Sequence, residues 1–372
     1  MRSGPLYPAA HTYAGRLAEH FARHAAGGSA RVPLPDAGAI EAMIDAAFWA
    51  SLQREEGYEP EISLAFLPPE GATRPLRLAA PLPLAARTLA RLAPAVERPG
   101  IHIGVWRTGT ELLVWGTMRA VPSFCFVVEV LGPGLLVVKH RTHEESTKFR
   151  NVAVFEGEQV KILSPDSADV SAFPALLKSL IAPEFCGTTE GPDDVLLRLA
   201  VSMRAHKRGA TLLVVPAQTQ AWRESIVRPI TYAVEPSFTE LSDLVQEKLQ
   251  DGQWHGAIGR VVDAVAGLTA VDGATLITDR YELLAFGVKI ARPDGRSQVE
   301  RVVFTEPIEG GAPAIVAPVQ LGGTRHISAA QFAQDQHDAV ALVASQDGHF
   351  TLFAWSAHQG MVHAHRVETL LL

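Results

Sequence analysis

The chain has 372 residues, of which 47% are hydrophobic and 20% are charged, a composition typical of globular proteins. This length exceeds that of one typical domain and fits two. The net charge of −7 argues against a protein whose main activity is coating DNA or RNA, because such binding needs clustered Lys and Arg. A small anionic ligand, which needs only a few local donors, is compatible with this charge.

Two cysteines, Cys125 and Cys186, lie far apart and form no CxxC pair. This favours a reducing compartment and excludes a cysteine-based zinc ribbon, so we expect two buried thiols. The N-terminus lacks the apolar stretch of a signal peptide, and no apolar run approaches the ~20 residues of a membrane span. We therefore expect a soluble cytoplasmic protein with neither membrane nor nucleic acid as a partner.

In the first half, an amphipathic stretch covers residues 17–24, and Asp36 is placed to cap a helix with apolar residues at every third or fourth position. A strand is predicted at 62–67. The Pro- and Ala-rich stretch 72–99 contains one predicted helix, 84–92. Three pairs of β-rich segments then flank short Gly-containing turns, which predicts an antiparallel meander. These segments are 101–106, 111–118, 123–130, 135–140, 151–155 and 159–163.

Glycines and a proline at 187–192 break any regular element, so the predicted domains are 1–187 and 188–372. The first is predicted to be α+β. In the second, helices alternate with strands, which predicts an α/β domain with a mixed sheet. Helices are predicted at 193–204, 237–250, 254–268 and 328–336, and strands at 211–215, 274–278, 282–289, 339–345 and, as a last central strand, 349–355.

The first chemical motif is Asp272-Gly273-Ala274, where a predicted helix meets a strand. Glycine permits a tight turn or a close backbone approach to a ligand. The Asp272 carboxylate could hold a metal or accept a proton. On its own, an Asp-Gly pair is more often a simple turn.

The second motif is a pair of glycines followed by Thr324, Arg325 and His326 at the start of a predicted helix. Backbone N–H groups and the helix dipole favour an anion at such a position. The Arg325 guanidinium suits phosphate, and Ser328 adds a hydroxyl. A helix capped by Thr324 or Ser328, with Arg325 on the surface, is an equally good interpretation of this motif alone.

The third motif, Ser345-Gln346-Asp347-Gly348, turns one apolar strand into the next and alone reads as a β-turn. The order and spacing of the three motifs, preceded by Arg208-Gly209-Ala210, resemble the diadenylate cyclase domain family, with its DGA, GTRHR and SEExG-like motifs. The resemblance covers about half of the chain.

Membership of that family would imply that ATP is the substrate, and that two ATP are condensed into cyclic di-AMP with release of pyrophosphate. It also implies a divalent cation, Mg²⁺ or Mn²⁺, and a face-to-face dimer, because one domain holds one ATP. Catalytic roles fall on Asp272 and Arg325, and metal ligation on Asp272 and Asp347. The implied nucleotide-binding residues are Gly273, Ala274, Gly323, Thr324, Arg325, His326, Ser328 and Ser345.

Three positions depart from the family motifs: Val271 replaces a histidine, Ile327 an arginine and Gln346 an acidic residue. These changes fall on metal and triphosphate contacts. The alternative function is therefore a catalytically degenerate, nucleotide-binding sensor or regulatory protein. An α/β interaction domain without a ligand is a third interpretation.

The first half carries no comparable signature. His140, His143 and Glu144 resemble part of a metal site, but a polar loop is the expected structure there. Trp106 and Trp115 are expected to pack on a sheet. Some diadenylate cyclase domains follow a sensor-like domain, so the resemblance implies a regulatory role for this half.

Overall fold

The computed structural model describes residues 6–25, 32–55, 57–98, 100–141, 149–164, 195–247 and 251–372. These residues form seven α-helices and two mixed β-sheets, which confirms the predicted α/β class. The chain divides into two compact units, the first ending at Leu163 and the second running from Ser164 to Leu371. The boundary predicted at 187/188 lies outside the described residues and stays a prediction.

The first unit packs three helices on an eight-stranded sheet. Its helices are α1 (Pro8–Ala25), α2 (Ala37–Ser51) and α3 (Ala86–Leu92), and its strands are β1 (Ile62–Phe66), β2 (Leu76–Pro83), β3 (His102–Thr108), β4 (Glu111–Met118), β5 (Val127–Gly132), β6 (Leu135–Arg141), β7 (Phe149–Glu156) and β8 (Gln159–Ile162).

The predicted cap of α2 is confirmed, because Asp36 Oδ1 accepts a hydrogen bond from the Ala39 backbone N–H at 2.8 Å. The sheet has the strand order β2-β4-β3-β1-β5-β6-β7-β8. All three predicted hairpins are present, so the meander is confirmed for β5 to β8. The sheet is nevertheless mixed, because β1 pairs in parallel with β3 and antiparallel with β5.

Strand β2 was not predicted, because its sequence LRLAAPLP contains two prolines. The strand forms the edge of the sheet and is largely exposed. An edge position tolerates proline, since one side of the strand needs no backbone donor.

The second unit is built around a nine-stranded sheet. Its helices are α4 (Val195–Ala205), α5 (Glu240–Gln246), α6 (Asp251–Leu268) and α7 (Thr324–Asp335), and its strands are β9 (Ala210–Val215), β10 (Tyr232–Phe238), β11 (Ala274–Thr278), β12 (Leu283–Val288), β13 (Val302–Thr305), β14 (Ala314–Val316), β15 (Val340–Ala344), β16 (Phe350–Ser356) and β17 (Met361–Arg366).

The strand order of this sheet is β10-β12-β11-β9-β15-β16-β17-β13-β14. Alternate residues of β9 point to opposite faces: Leu212 packs with α4, α5 and α6, whereas Leu213 packs with α7. Helices therefore cover both faces of the sheet. Among the described helices, none is both long and apolar enough to cross a membrane.

Several predictions in this unit were wrong in detail. Strands β10, β13, β14 and β17 were not predicted. Strand β16, predicted as a last central strand, lies inside the sheet between β15 and β17. The helix predicted from residue 237 starts only at Glu240, because Phe238 still pairs with Leu283 in the sheet. Helix α7 begins at Thr324, one turn earlier than predicted, and this places Thr324, Arg325 and His326 in its first turn.

Candidate functional site

The three sequence motifs meet at one edge of the second sheet. Strands β9 and β11 run parallel, with Leu212 opposite Thr275, and β15 runs antiparallel to β9, with Ala344 opposite Ala210. The starts of β9 and β11 and the end of β15 therefore lie side by side. They form a sheet edge that crosses the ends of the strands and is distinct from the outer strands β10 and β14. Asp272 precedes β11 and Ser345 follows β15. Strands β11 and β15 lie on either side of β9, so their axes are roughly 10 Å apart, which is two strand spacings.

Position 273 requires glycine because the backbone of β12 leaves no room for a side chain there. Its φ is +120°, and a Cβ atom there would lie 2.5 Å from the carbonyl carbon of Gly287 and 2.8 Å from the Val288 oxygen. Ala274 is buried in the core between the sheet and α7. The contribution of both residues to a nucleotide stays a prediction, and the packing of β11 on β12 is itself a reason for a small residue at each position.

Asp272 stands at the surface, with its side chain 89% exposed, and Lys289 Nζ donates a hydrogen bond to its Oδ2 at 2.6 Å. This hydrogen bond and the charge of Lys289 lower the pKa of Asp272, and the more distant charge of Arg325 adds to the effect. The carboxylate is therefore ionised and lies in the field of two cations from different motifs.

The start of α7 has no side-chain cap. Gly323 is the N-cap residue and makes no side-chain hydrogen bond, so capping by Thr324 or Ser328 is not observed. The first turn contains no acidic residue. Within the described part of the chain, the backbone N–H groups of Thr324 and Arg325 have no acceptor, whereas the His326 N–H donates to the Gly323 oxygen at 3.0 Å. The positive end of the helix dipole is thus open to an anion.

Arg325 is half-buried and forms no hydrogen bond or ion pair with the residues that the structure describes. Its guanidinium lies over Gly209, where a Cβ atom would be 2.4 Å from Nη1 and 2.7 Å from Cζ. The glycine before β9 thus provides the space that the Arg325 side chain occupies. A guanidinium that makes no hydrogen bond or ion pair among the described residues is placed to use its fork of N–H donors on a ligand.

His326 points the other way, into the protein, and is only 2% exposed. Burial, followed by the charge of Arg366, lowers its pKa to about 4, so the ring is neutral. The ring packs against Gly322, where a Cβ atom would be 2.4 Å from Nδ1, and edge-on to Phe353 at 6.0 Å. The phosphate contact of His326 stays a prediction. In this structure the side chain lies beneath the start of the helix and not on the surface. Ser328, one turn after Thr324, is half-buried.

The third motif forms the turn between β15 and β16. Ser345 Oγ accepts from the His349 N–H at 3.2 Å, and the Ser345 N–H donates to the His349 oxygen at 2.9 Å. Asp347 is exposed at the tip of this turn. No group of three or more His, Cys, Asp or Glu able to hold a metal occurs within the described ranges. Metal ligation by Asp272 and Asp347 stays a prediction.

Two features of this edge were missed in the sequence. Lys289 was predicted only as the end of a strand, and its pairing with Asp272 depends on the register that sets Val288 opposite Ala274. Tyr232, on the unpredicted β10, stacks on Phe286 with ring centroids 4.9 Å apart and planes 2° apart. Tyr232 is 47% exposed, so this is an aromatic surface beside Gly287.

In the first unit, Trp115 packs on the sheet as predicted. Its Nε1–H donates to the Leu67 oxygen at 2.7 Å, and the ring covers Gly104. His140 ends the strand predicted at 135–140: it belongs to β6, is buried and stacks on Phe124 at 5.2 Å. His143, Glu144 and Cys186 lie outside the described residues, whereas Cys125 is a buried free thiol, as expected.

A family model described as "probable sensor domain DACNV" matches residues 29–119. No curated protein matches the chain. Similar solved structures include a hypothetical membrane spanning protein from Bacillus cereus, at 15% identity and a TM-score of 0.28, covering 50% of this chain and 67% of that one. They also include a double mutant of DacA from Staphylococcus aureus, at 12% identity and a TM-score of 0.24, covering 46% of this chain and 83% of that one.

Likenesses at these identities and TM-scores establish neither a shared fold nor a shared function. The family match is more informative, because it falls within the first unit, where a sensor-like domain was expected. Residues 29–119 are therefore similar to a sensor domain.

Proposed function

We propose that the second unit binds ATP at the edge formed by Asp272, Gly209, Arg325 and Ser345, and that two such units condense two ATP into cyclic di-AMP. The observation that carries this proposal is the half-buried Arg325 guanidinium, which has no partner among the described residues and lies beside an uncapped helix start. That combination suits the phosphates of a nucleotide.

The reaction is nucleotidyl transfer, in which the ribose 3′-hydroxyl of each ATP attacks the α-phosphate of the other and pyrophosphate leaves. Asp272 positions the attacking hydroxyl and, as the new P–O bond forms, takes the hydroxyl proton as a general base. The N–H groups of Thr324 and Arg325 and the Arg325 guanidinium stabilise the negative charge on the phosphates. Because one site holds one ATP, the reaction needs two units face to face, which makes the protein a homo-oligomer during turnover.

A divalent cation, Mg²⁺ or Mn²⁺, supplies further charge neutralisation when bound. Magnesium is commonly held by one or two carboxylates together with substrate phosphates and water. The exposed Asp272 fits this pattern as a single protein ligand. Asp347 follows β15, on the other side of β9 from Asp272. It would act as a second metal ligand only if a bound nucleotide extended across β9 from one carboxylate to the other.

Tyr232 and Phe286 are our candidates for contact with the adenine base, because a flat aromatic surface stacks on a base without hydrogen bonds. The first unit, similar to a sensor domain over residues 29–119, would regulate the reaction.

A nucleotide-binding regulatory protein without turnover is the second candidate. It is favoured by Val271, Ile327 and Gln346, which remove groups from the metal and triphosphate contacts of the family motifs. The ion pair of Asp272 with Lys289 also favours it, because the negative charge of the carboxylate is already compensated by the ammonium group.

Incubating the full chain with ATP and Mn²⁺ or Mg²⁺, followed by mass spectrometry, tests the first proposal through formation of cyclic di-AMP. Calorimetry with ATP tests binding separately. The Asp272→Asn variant should still bind ATP but form no product. ATP binding without product in the parent protein would establish the second candidate instead, and absence of ATP binding would contradict both.

A further inference from the structure

A group of buried polar atoms lies beneath the start of α7. The side chains of His326, Thr351 and Arg366 each carry a polar atom that is shielded from solvent and has no hydrogen-bond partner among the described residues: Nε2, Oγ1 and Nε, respectively. His326 is 2% exposed and Thr351 is fully buried. A shielded polar atom without a partner is costly, so this group indicates a partner that comes from outside the protein chain.

Strand pairing brings these side chains to one face of the sheet. Thr351 of β16 lies opposite Arg366 of β17, so their side chains are neighbours on the same face. That face is the one covered by α7, because Phe353, two residues after Thr351, packs edge-on to the His326 ring at 6.0 Å. The start of β16 adjoins the end of β15, so Thr351 and Arg366 lie near the sheet edge where the three motifs meet.

Arg366 uses little of its donor capacity within the described part of the chain. Its Nη2 donates one long hydrogen bond, 3.4 Å, to the Leu321 oxygen, just before the glycines at the start of α7, and its guanidinium lies 5.1 Å from the centre of the Phe304 ring. Arg325 reaches toward Gly209, before β9, whereas Arg366 approaches from β17. Since β15 and β16 separate β9 from β17, the open N–H groups of α7 lie between two guanidinium groups.

We propose that Arg366 is a second phosphate-binding residue of the nucleotide site and holds the pyrophosphate end of the triphosphate, on the side of the α7 start opposite Arg325. This inference rests on the proposed nucleotide site. A guanidinium with unused donors suits the oxygens of the β- and γ-phosphates. A phosphate oxygen near Nε would also give an acceptor to a donor that has none among the described residues. Arg366 is half-buried, so a ligand can reach it from solvent.

Calorimetry of the full chain with inorganic pyrophosphate tests the inference without ATP. Arg366→Met keeps an unbranched stem and removes the guanidinium, so it should bind pyrophosphate about tenfold more weakly than the parent, the order expected from losing hydrogen bonds to a charged group. Arg366→Lys keeps the charge and should fall between the two. AMP lacks the pyrophosphate end, so Arg366→Met should bind AMP as the parent does, whereas an arginine that only supported the fold would affect both ligands.

Arg301→Met is the matched control, because it removes the same charge elsewhere. Arg301 is exposed and precedes β13, which runs parallel to β17, so it lies at the opposite end of these strands from Arg366. This variant should bind pyrophosphate as the parent does. Parent-like pyrophosphate binding by Arg366→Met, no pyrophosphate binding by any of the proteins, or equal losses of AMP and pyrophosphate would each overturn the inference. Calorimetry of the parent with ATP reports separately on the proposed function, since ATP can bind through Arg325 without Arg366.

Discussion

Gly209 and Arg325 fit against each other: a Cβ atom at Gly209 would lie 2.4 Å from Arg325 Nη1. The position of the guanidinium thus depends on a residue that precedes a different strand. The relationship connects the start of β9 to the start of α7, and it identifies a residue through which the ligand site can be altered without touching its charges.

Gly209→Ala should displace the Arg325 guanidinium and weaken ATP binding about tenfold, a change of ~1.4 kcal/mol. The backbone at Gly209 is compatible with alanine, because its φ is not in the left-handed region, so the fold should persist. Calorimetry measures the affinity. Gly259→Ala, where no atom lies within 4 Å of the added Cβ, is the control. Unchanged affinity in Gly209→Ala would show that Arg325 does not need this space.

Arg325→Ala should weaken ATP binding by about 10- to 100-fold, the range for losing hydrogen bonds to a charged group. Arg325→Lys should fall between parent and alanine variant, because lysine keeps the charge but loses the planar fork of donors. Competition with inorganic triphosphate measures the phosphate contribution directly. Arg260→Ala, an exposed arginine on α6, should bind ATP as the parent does. Parent-like affinity in Arg325→Ala would contradict the proposed phosphate contact.

His326 should make the second unit sensitive to acid. Its pKa is lowered to about 4 in the folded protein, against an ordinary value of 6.5. The unfolded chain therefore binds a proton between pH 6.5 and 4 that the folded chain does not. Stability falls as the pH drops through this window, and is unaffected by His326 above it. Over the whole window the loss amounts to about 3 kcal/mol.

Urea denaturation of His326→Gln at pH 7.5 and at pH 4.5 checks this expectation. The variant should lose less stability than the parent between the two pH values, whatever its stability at pH 7.5. The exposed His358, replaced by glutamine, controls for a general effect of removing a histidine. Equal acid losses in the parent and His326→Gln would show that this ring is not the source.

Gly104→Ala should destabilise the first unit by about 1–3 kcal/mol, the usual cost of overpacking. A Cβ atom there would lie 2.1 Å from two ring carbons of Trp115, whose Nε1–H is held by the Leu67 oxygen. Urea denaturation followed by tryptophan fluorescence measures the change. Gly132→Ala is the control, because no atom lies within 4 Å of its Cβ. If Gly104→Ala unfolds at as high a urea concentration as Gly132→Ala, the Trp115 ring can move aside.

Sequence periodicity predicted elements well where one face of an element is buried. The cap of the helix that follows Asp36 was predicted, and the strand at 274–278 was predicted residue for residue. Edge elements were missed: β2, β10 and β14 are short or largely exposed, so their sequences carry no regular apolar pattern. The unpredicted edge strand β10 carries Tyr232, and with it the aromatic surface of the site.

The sequence by itself determined the mixed α/β class and the three motifs around Asp272, Arg325 and Ser345, because these depend on local pattern and order along the chain. Only the tertiary structure decided that the motifs share one sheet edge, since that follows from the directions of β9, β11 and β15. It also turned His326 inward and set Lys289 against Asp272. Pairing register and packing arise between residues distant in the chain, and no local pattern encodes them.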